Sequence, residues 1–257
     1  MRPKKAPKRR LGELLVQRGL ARDASHARSL VMAGQVVVDQ RRRDKVGELY
    51  PDDCHIVVKE GRNPESWVSR GAQKLLGALE GFEGFAEAIH GSLCLDVGAS
   101  TGGFTDVLLR TGARHVVAVD VGYGQLAWRL RSDERVTVMD RTNIRHVTRD
   151  ALPYEPDVIV VDASFTDVAS MMMTFEALLR AGGWCVVLVK PQFELAHDQV
   201  EQGGVVRDDA ARWQALRGAR DAAVACGLVV HGHMEAPISG AKGNREWLLA
   251  LRKPTGS

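Results

Sequence analysis

Two sets of residues in this sequence have types and spacing that could do chemistry. The first is the run Leu95-Asp96-Val97-Gly98-Ala99-Ser100-Thr101-Gly102-Gly103-Phe104, which passes from an apolar strand-like stretch into a helix-like one. Glycines at such a turn let a ligand approach the backbone, and the exposed amides bind oxygen acceptors. A dinucleotide site wants Gly-x-Gly-x-x-Gly. Here position 100 is Ser and the next glycines are Gly102 and Gly103, which counts against a nicotinamide oxidoreductase. Asp120 and Asp140 close the next two apolar runs, so three acids end three successive strands. The second set is Lys74, Asp162, Lys190 and Glu246. Asp162 follows an apolar run in Val-Val-Asp-Ala-Ser-Phe, Lys190 follows another in Leu-Val-Lys-Pro-Gln-Phe-Glu, and Glu246 lies in Gly-Asn-Arg-Glu-Trp-Leu. In an open α/β sheet the carboxyl ends of the strands form the ligand crevice. A lysine directly after Val186 to Val189 is therefore poorly explained as packing.

The elements that must position these groups can be read from hydrophobic periodicity. Strands are expected at Leu93–Val97, His115–Val119, Arg135–Met139, Asp157–Val161 and Trp184–Val189, with helices filling the gaps. Their continuous apolar runs suit a parallel sheet covered on both faces. An amphipathic helix from Ala72 to about Glu80 carries Lys74. A long helix from Asp208 to Cys226 precedes two last strands, Leu228–Met234 and Arg245–Leu251. This is a doubly wound, Rossmann-like α/β domain, assigned to residues 69–257. Within it, Met171-Met172-Met173 reads as part of a helix with a core or helix-face role, Gly203-Gly204 as a turn, and Ser239 to Asn244 as a flexible loop closing beside Glu246.

Ahead of it, residues 11–60 predict a small α+β module. Helices at Leu11–Arg18 and Ser25–Met32 flank the turn Ala21–Ala24, with Ser25 as the cap and Gly34 as the stop. Short strands at Gln35–Gln40 and His55–Lys59 are separated by a basic loop, Arg41–Lys45. Residues 1–10 carry six positive charges, no acid and two prolines, and read as a mobile basic tail. The linker is assigned to residues 61–68.

Charge divides the same way. Residues 1–62 hold 15 Lys/Arg and 8 Asp/Glu, against 20 and 24 in the remainder. A basic module on a mildly acidic body suggests that one part touches a polyanion while the other does chemistry. No apolar run approaches the roughly 20 residues of a membrane helix. The basic start also lacks the apolar stretch of about 7–15 residues that a secretory signal needs. Cys54, Cys94, Cys185 and Cys226 are widely spaced, so they read as reduced residues of a cytoplasmic protein without zinc or disulfides. The eight histidines show no metal-binding spacing.

The pattern D-x-G-x-x-x-G-G-F resembles the S-adenosylmethionine loop of class I methyltransferases. In that family the residues matching Asp96, Gly98, Ser100, Thr101, Gly102, Gly103 and Phe104 cradle the cofactor, with Asp96 orienting the loop and the methionine end. Asp120 would grip the ribose hydroxyls, since one carboxylate accepts two hydrogen bonds, and Asp140 would face the adenine amino group. Arg-Gly-x-x-Lys, Asp-Ala-Ser-Phe, Val-Lys-Pro-Gln-Phe-Glu and Gly-Asn-x-Glu together resemble the RrmJ-type (FtsJ) ribose methyltransferases. More closely, they resemble the TlyA, or hemolysin A, branch, whose N-terminal domain is of the ribosomal-protein S-four type. The resemblance runs from about Leu11 to Leu251.

It implies methyl transfer to a ribose 2′-hydroxyl of ribosomal RNA, a cytidine of the large subunit with a possible second target in the small one, through a tetrad falling on Lys74, Asp162, Lys190 and Glu246. A lysine ordinarily keeps its proton up to a pKa of about 10.4, and burial or a neighbouring cation lowers that value. Lys190 is expected to take or steer the hydroxyl proton while the other three position it and the ribose. Arg18, Arg22, Arg28, Arg41, Arg42 and Arg43 would hold the RNA, with Arg141, Arg145 and Arg149 as further candidates. The linker departs from the mycobacterial Arg-x-Trp-Val, reading Glu65-Ser66-Trp67-Val68, and Ala163 stands where larger aliphatic residues are common. Two other classes compete: a non-catalytic RNA-binding assembly factor, against which the intact tetrad argues, and a membrane-lytic hemolysin, for which no spanning segment exists.

Overall fold

The structure, a computed structural model, describes residues 7–32, 34–39, 41–43, 45–58, 66–240 and 242–255. The chain forms two compact units: residues 1–66 together with 124–131, and residues 67–123 together with 132–257. The division after Ser66 falls within the expected linker, of which residues 61–65 lie outside the described residues. Assignment of 124–131 to the first unit was not anticipated.

The first unit contains β1 (Lys8–Arg10), α1 (Leu11–Gln17), α2 (Ala24–Met32), β2 (Val36–Val38), β3 (Arg41–Arg42), β4 (Leu49–Pro51) and β5 (Ile56–Val58). Leu11, Leu14 and Leu15 of α1 pack with Ala27 and Val31 of α2 and with Val36 and Val38 of β2. Three expectations are corrected here. The end of the supposed tail is strand β1, paired antiparallel with β4 (Arg9 opposite Tyr50), because alternating contacts and backbone pairing accept basic residues on a solvated face. Part of the basic loop is strand β3, paired with β2. The α2 cap is Asp23, whose Oδ1 accepts from His26 N at 2.8 Å; Ser25 already lies inside the helix.

The second unit contains α3 (Ala72–Gly81), α4 (Phe85–Ile89), β6 (Leu93–Val97), α5 (Gly103–Arg110) and β7 (His115–Val119). The helix α6 (Trp128–Arg131) clusters with the first unit. The second unit continues with β8 (Val136–Met139), β9 (Val158–Val161), α7 (Met172–Leu178), β10 (Trp184–Val189), α8 (Pro191–Glu194), α9 (Asp209–Ala225), β11 (Val229–Glu235) and β12 (Trp247–Arg252). The sheet order is β11-β12-β10-β9-β6-β7-β8. Strands β6 to β10 run parallel, and β12 and β11 add antiparallel at one edge. From β6 the chain winds first toward β8 and then, from β9, the other way. That reversal opens a crevice at the carboxyl ends of β6 and β9.

Every residue of β9 and β10 is buried, as their apolar runs require. Met171 and Met172 join the core as expected, while Met173 faces solvent. One expectation fails: no α-helix fills the gap between β8 and β9. The stretch holds only the 3-10 turns Ile144–His146 and Arg149–Ala151, with few apolar positions to bury a helix face. Asp208 is the N-cap of α9, accepting from Ala210 N and Ala211 N, so the helix proper begins one residue later than expected.

Candidate active site

Lys190 ends β10 and Asp162 ends the neighbouring β9, so the parallel pairing of these strands brings them together. Lys190 Nζ stands 2.5 Å from Asp162 Oδ1 and donates to Ser164 Oγ at 2.9 Å. Lys74 lies on the buried face of α3, and its Nζ reaches Glu246 Oε2 at 2.6 Å. Glu246 is set there by β12, whose antiparallel pairing with β10 starts at the next residue, Trp247. The four predicted residues thus form two lysine–carboxylate pairs, and no direct hydrogen bond joins one pair to the other among the described residues. Side-chain exposure separates them: 9% and 2% for Lys74 and Glu246, 7% and 23% for Lys190 and Asp162. Only the Lys190–Asp162 pair offers a carboxylate oxygen to an incoming group.

The glycine loop lies against this centre. Gly98 has a φ of +80°, and a Cβ there would sit 2.7 Å from the Asp162 carbonyl oxygen, so only glycine fits. Gly103 opens α5 against the start of α3, where a Cβ would meet Ala72 N at 3.0 Å. The Asp120 carboxylate accepts from Ser100 N at 2.8 Å and Gly122 N at 2.6 Å, which fixes the loop's shape and leaves further lone pairs on both oxygens. Ser100 itself is exposed at a φ of +47°. Asp140 is half-buried just after β8, and the turn that follows it is stitched to β7 by Thr142 N donating to Asp120 O. Asp96 is wholly buried. Its Oδ2 accepts from Thr105 Oγ1 at 2.6 Å, while Oδ1 has no hydrogen-bond partner. Burial pushes this carboxyl up to about 7. An orphan buried acceptor beside a glycine cradle, with Asp120 displayed at the next strand end, fits a cofactor carrying both donors and hydroxyls. Phe104, in contrast, has its ring in the core, and Thr101 is half-buried.

Residues not singled out beforehand complete the centre. Ser164 contacts Lys190 from within the Asp-Ala-Ser-Phe motif. Phe165 follows with a φ of +64° and 91% of its surface exposed, its ring 5.4 Å from that of Phe193. Asn244, in the Gly-Asn-x-Glu motif, is buried, accepts from Val206 N and donates to Gly204 O, both at 2.8 Å. Lys242 Nζ also donates to Gly203 O. The stretch expected as a flexible loop is therefore anchored to the 203–206 turn; its Ala241 lies outside the described residues.

The basic residues divide. Arg18 donates to Cys54 O at 2.7 Å and Asp52 O at 2.6 Å, and so ties its own unit together. The Arg22 guanidinium stacks 3.5 Å over the Trp128 ring, and Arg43 lies 5.2 Å over Tyr50. Arg28 and Arg41 are exposed; the Arg42 side chain lies outside the described residues. In the second unit Arg141 lies over Tyr123 at 4.3 Å, Arg149 pairs with Glu155 at 3.8 Å, and the exposed Arg145 donates to Thr166 and Ser170. Trp67 packs beneath Arg110, whose guanidinium is 4.5 Å from its ring. Two cavities, of about 500 and 410 Å³, open at the opposite ends of the strands and include none of the site residues.

Comparison with known proteins identifies the family. The profile of the FtsJ-like methyltransferase family matches residues 67–253. The 16S/23S rRNA (cytidine-2′-O)-methyltransferase TlyA of Mycobacterium tuberculosis is 44% identical over 250 residues, 97% of this chain and 92% of that protein. Hemolysin A of Brachyspira hyodysenteriae is 36% identical over 93% of this chain and 98% of its own. A solved structure from Streptococcus thermophilus, also carrying a hemolysin name, superposes with a TM-score of 0.70 at 38% identity, covering 96% of this chain and 89% of that one. No helix among the described residues is long and apolar enough to cross a membrane. The chain belongs to the FtsJ-like methyltransferase family, on the branch of the TlyA-type rRNA (cytidine-2′-O)-methyltransferases.

Proposed function

We propose that this chain transfers a methyl group from S-adenosylmethionine to the 2′-hydroxyl of a cytidine in ribosomal RNA, with Lys190 at the reacting oxygen. The observation that carries this reading is the Lys190–Asp162 pair at the strand ends, 2.5 Å apart and half open, directly against the glycine loop. When bound, S-adenosylmethionine supplies a methyl carbon that is electrophilic because it sits on a sulfonium. The residues Gly98, Ser100, Thr101, Gly102 and Gly103 would hold its methionine end, with Asp96 behind them. Asp120 would take the ribose hydroxyls and Asp140 the adenine.

A ribose hydroxyl is a weak nucleophile and must shed its proton as the new oxygen–carbon bond forms; the methyl–sulfur bond would break at the same time and S-adenosylhomocysteine would leave as the neutral thioether. Lys190 Nζ takes or steers that proton, and Asp162 holds the amine in place and balances its charge. Ser164 Oγ is a second hydrogen-bond partner of the same nitrogen. Lys74 and Glu246, buried against each other, keep α3 and the start of β12 in register around the pair. These residues would supply much of the acceleration by aligning the hydroxyl with the methyl donor. Phe165 offers an exposed ring on which an unstacked base can lie, which suits a nucleotide turned out of its helix. The basic first unit supplies salt-dependent affinity for RNA through phosphates, with Arg28 and Arg41 free to reach them. An RNA substrate of this kind places the reaction in the cytoplasm.

The test is tritiated-methyl transfer to ribosomal subunits, followed by mapping of 2′-O-methyl marks in rRNA from cells with and without the protein. Lys190→Ala should remove transfer, a loss on the order of 10²–10⁴-fold, while S-adenosylmethionine affinity stays within a few-fold. An active Lys190→Ala enzyme would remove the assignment. Wild-type protein that binds subunits but transfers no methyl would favour an assembly factor instead.

A further inference from the structure

The segment after β9 carries three groups that face the proposed substrate: Asp162, Ser164 and Phe165. Its backbone is strained at Phe165, whose φ of +64° is a left-handed conformation that side chains with a Cβ seldom adopt. Such a conformation persists only where the surroundings over-determine it. Two side chains from distant parts of the chain hold the residues that follow it. On one side Arg145, in the 3-10 turn after β8, donates to Thr166 Oγ1 at 2.7 Å and to Ser170 Oγ, with Asp167 Oδ2 at 3.8 Å. On the other side Glu194, the last residue of α8, accepts from Val168 N through Oε1 at 2.8 Å.

Glu194 lies four residues beyond Lys190. The stretch 190–194 therefore meets the stretch 162–168 at three places: Lys190 with Asp162 and Ser164, the Phe193 ring with the Phe165 ring, and Glu194 with Val168. The first contact belongs to the reaction; the last shuts the far end. Burial, with a smaller contribution from the Asp167 charge, pushes the Glu194 carboxyl up to about 7. Glu194 is thus half-buried at the end of a four-residue helix, with its carboxylate on the backbone of the loop that carries Ser164 and Phe165.

We propose that Glu194 is a positioning residue for methyl transfer: by holding Val168 it sets the 162–168 loop so that Ser164 meets Lys190 and Phe165 stands out to receive the target base, with Arg145 bracing the loop from its other side. This rests on the methyltransferase reading above. A merely structural cap on the turn Ala169–Met171 would move stability alone, whereas a positioning role moves the kinetics of RNA methylation at constant stability.

Steady-state methylation of ribosomal subunits decides between them, measured together with S-adenosylmethionine binding and thermal unfolding for the wild type, Glu194→Ala, Glu194→Gln and Arg145→Ala. Glu194→Ala should lower kcat/KM for the RNA about tenfold or more, since small misplacements at a reacting centre are costly. Its S-adenosylmethionine affinity should stay within about twofold of the wild type's. Glu194→Gln keeps an oxygen acceptor for Val168 N and should recover most of the loss, while Arg145→Ala should resemble Glu194→Ala. The proposal is overturned if Glu194→Ala matches the wild type in kcat/KM, if its loss is accompanied by an equal loss of cofactor affinity, or if Glu194→Gln folds normally yet is as slow as Glu194→Ala. Wild-type protein that transfers no methyl to RNA is a separate outcome; it fails the reading on which the proposal rests and removes both.

Discussion

The two lysine–carboxylate pairs have the same composition and different surroundings. Lys74 and Glu246 are sealed from solvent and satisfy each other, whereas Lys190 is sealed but its partner Asp162 is open on one side and Ser164 joins from another. A closed pair of this kind holds two elements in register, and an open one can exchange a proton and accept a substrate. Breaking a buried pair by removing one partner leaves an uncompensated charge, typically at a cost of about 3–5 kcal/mol. The two lysines should therefore fail in different ways when removed.

The largest effect expected on stability is at the closed pair. Lys74→Ala should lower unfolding free energy by about 3 kcal/mol, read by denaturant unfolding, whereas Lys190→Ala should lower it by less and lose transfer instead. Replacing both Lys74 and Glu246 by well-packed apolar residues should restore stability and, because the pair serves to hold α3 and β12 in register, most of the reaction with it. If Lys190→Ala proves as unstable as Lys74→Ala, the distinction between the pairs is gone.

A smaller effect concerns the carboxyl behind the cofactor loop. Asp96 has a folded pKa raised from 3.8 to about 7. Between those values the folded chain holds a proton that the unfolded chain has released, so folding is favoured as pH falls through the window and this contribution is lost as pH rises through 7. Unliganded protein should therefore gain stability from pH 8 to pH 6, by at most about 1.4 kcal/mol per unit for this one group. Asp96→Asn should flatten the difference. Cofactor affinity should move the opposite way, since a cationic methionine end prefers the ionised carboxylate. A wild type and Asp96→Asn with the same pH dependence would show that Asp96 does not titrate there.

The smallest effect is at the basic surface. Arg28→Ala or Arg41→Ala should weaken subunit binding alike for methylated and unmethylated RNA and reduce the salt slope by about 1. Arg18→Ala should chiefly destabilise its own unit, because its guanidinium holds the Cys54 and Asp52 carbonyls.

Much of this was legible in the residues. Five parallel strands were visible as apolar runs because a sheet covered on both faces needs them, and the spacing after Asp96 separated one cofactor class from another. Strands β1 and β3 were hidden because their residues are arginine and lysine, and a solvated edge strand takes its identity from its partner. The stretch from 140 to 157 is a gap between strands where a helix is expected, yet it lacks the apolar stripe to hold one. The division of the tetrad into two pairs, and the bonds of Ser164, Glu194 and Asn244, depend on which side chains meet across 26 to 172 positions of sequence. No local pattern encodes that.

The abutment of Gly98 on the Asp162 carbonyl has a consequence for tolerances. Strands β6 and β9 are paired with Asp96 opposite Val160, so the loop that would seat the methyl donor and the strand end that bears Asp162 are gauged from one shared datum. As long as that register holds, the two move together, and the spacing between donor seat and Asp162 stays put. Error in the reacting distance is thereby confined to one variable, the depth at which the ribose enters, and adjustment to a different RNA falls to the rim of the crevice rather than to its floor.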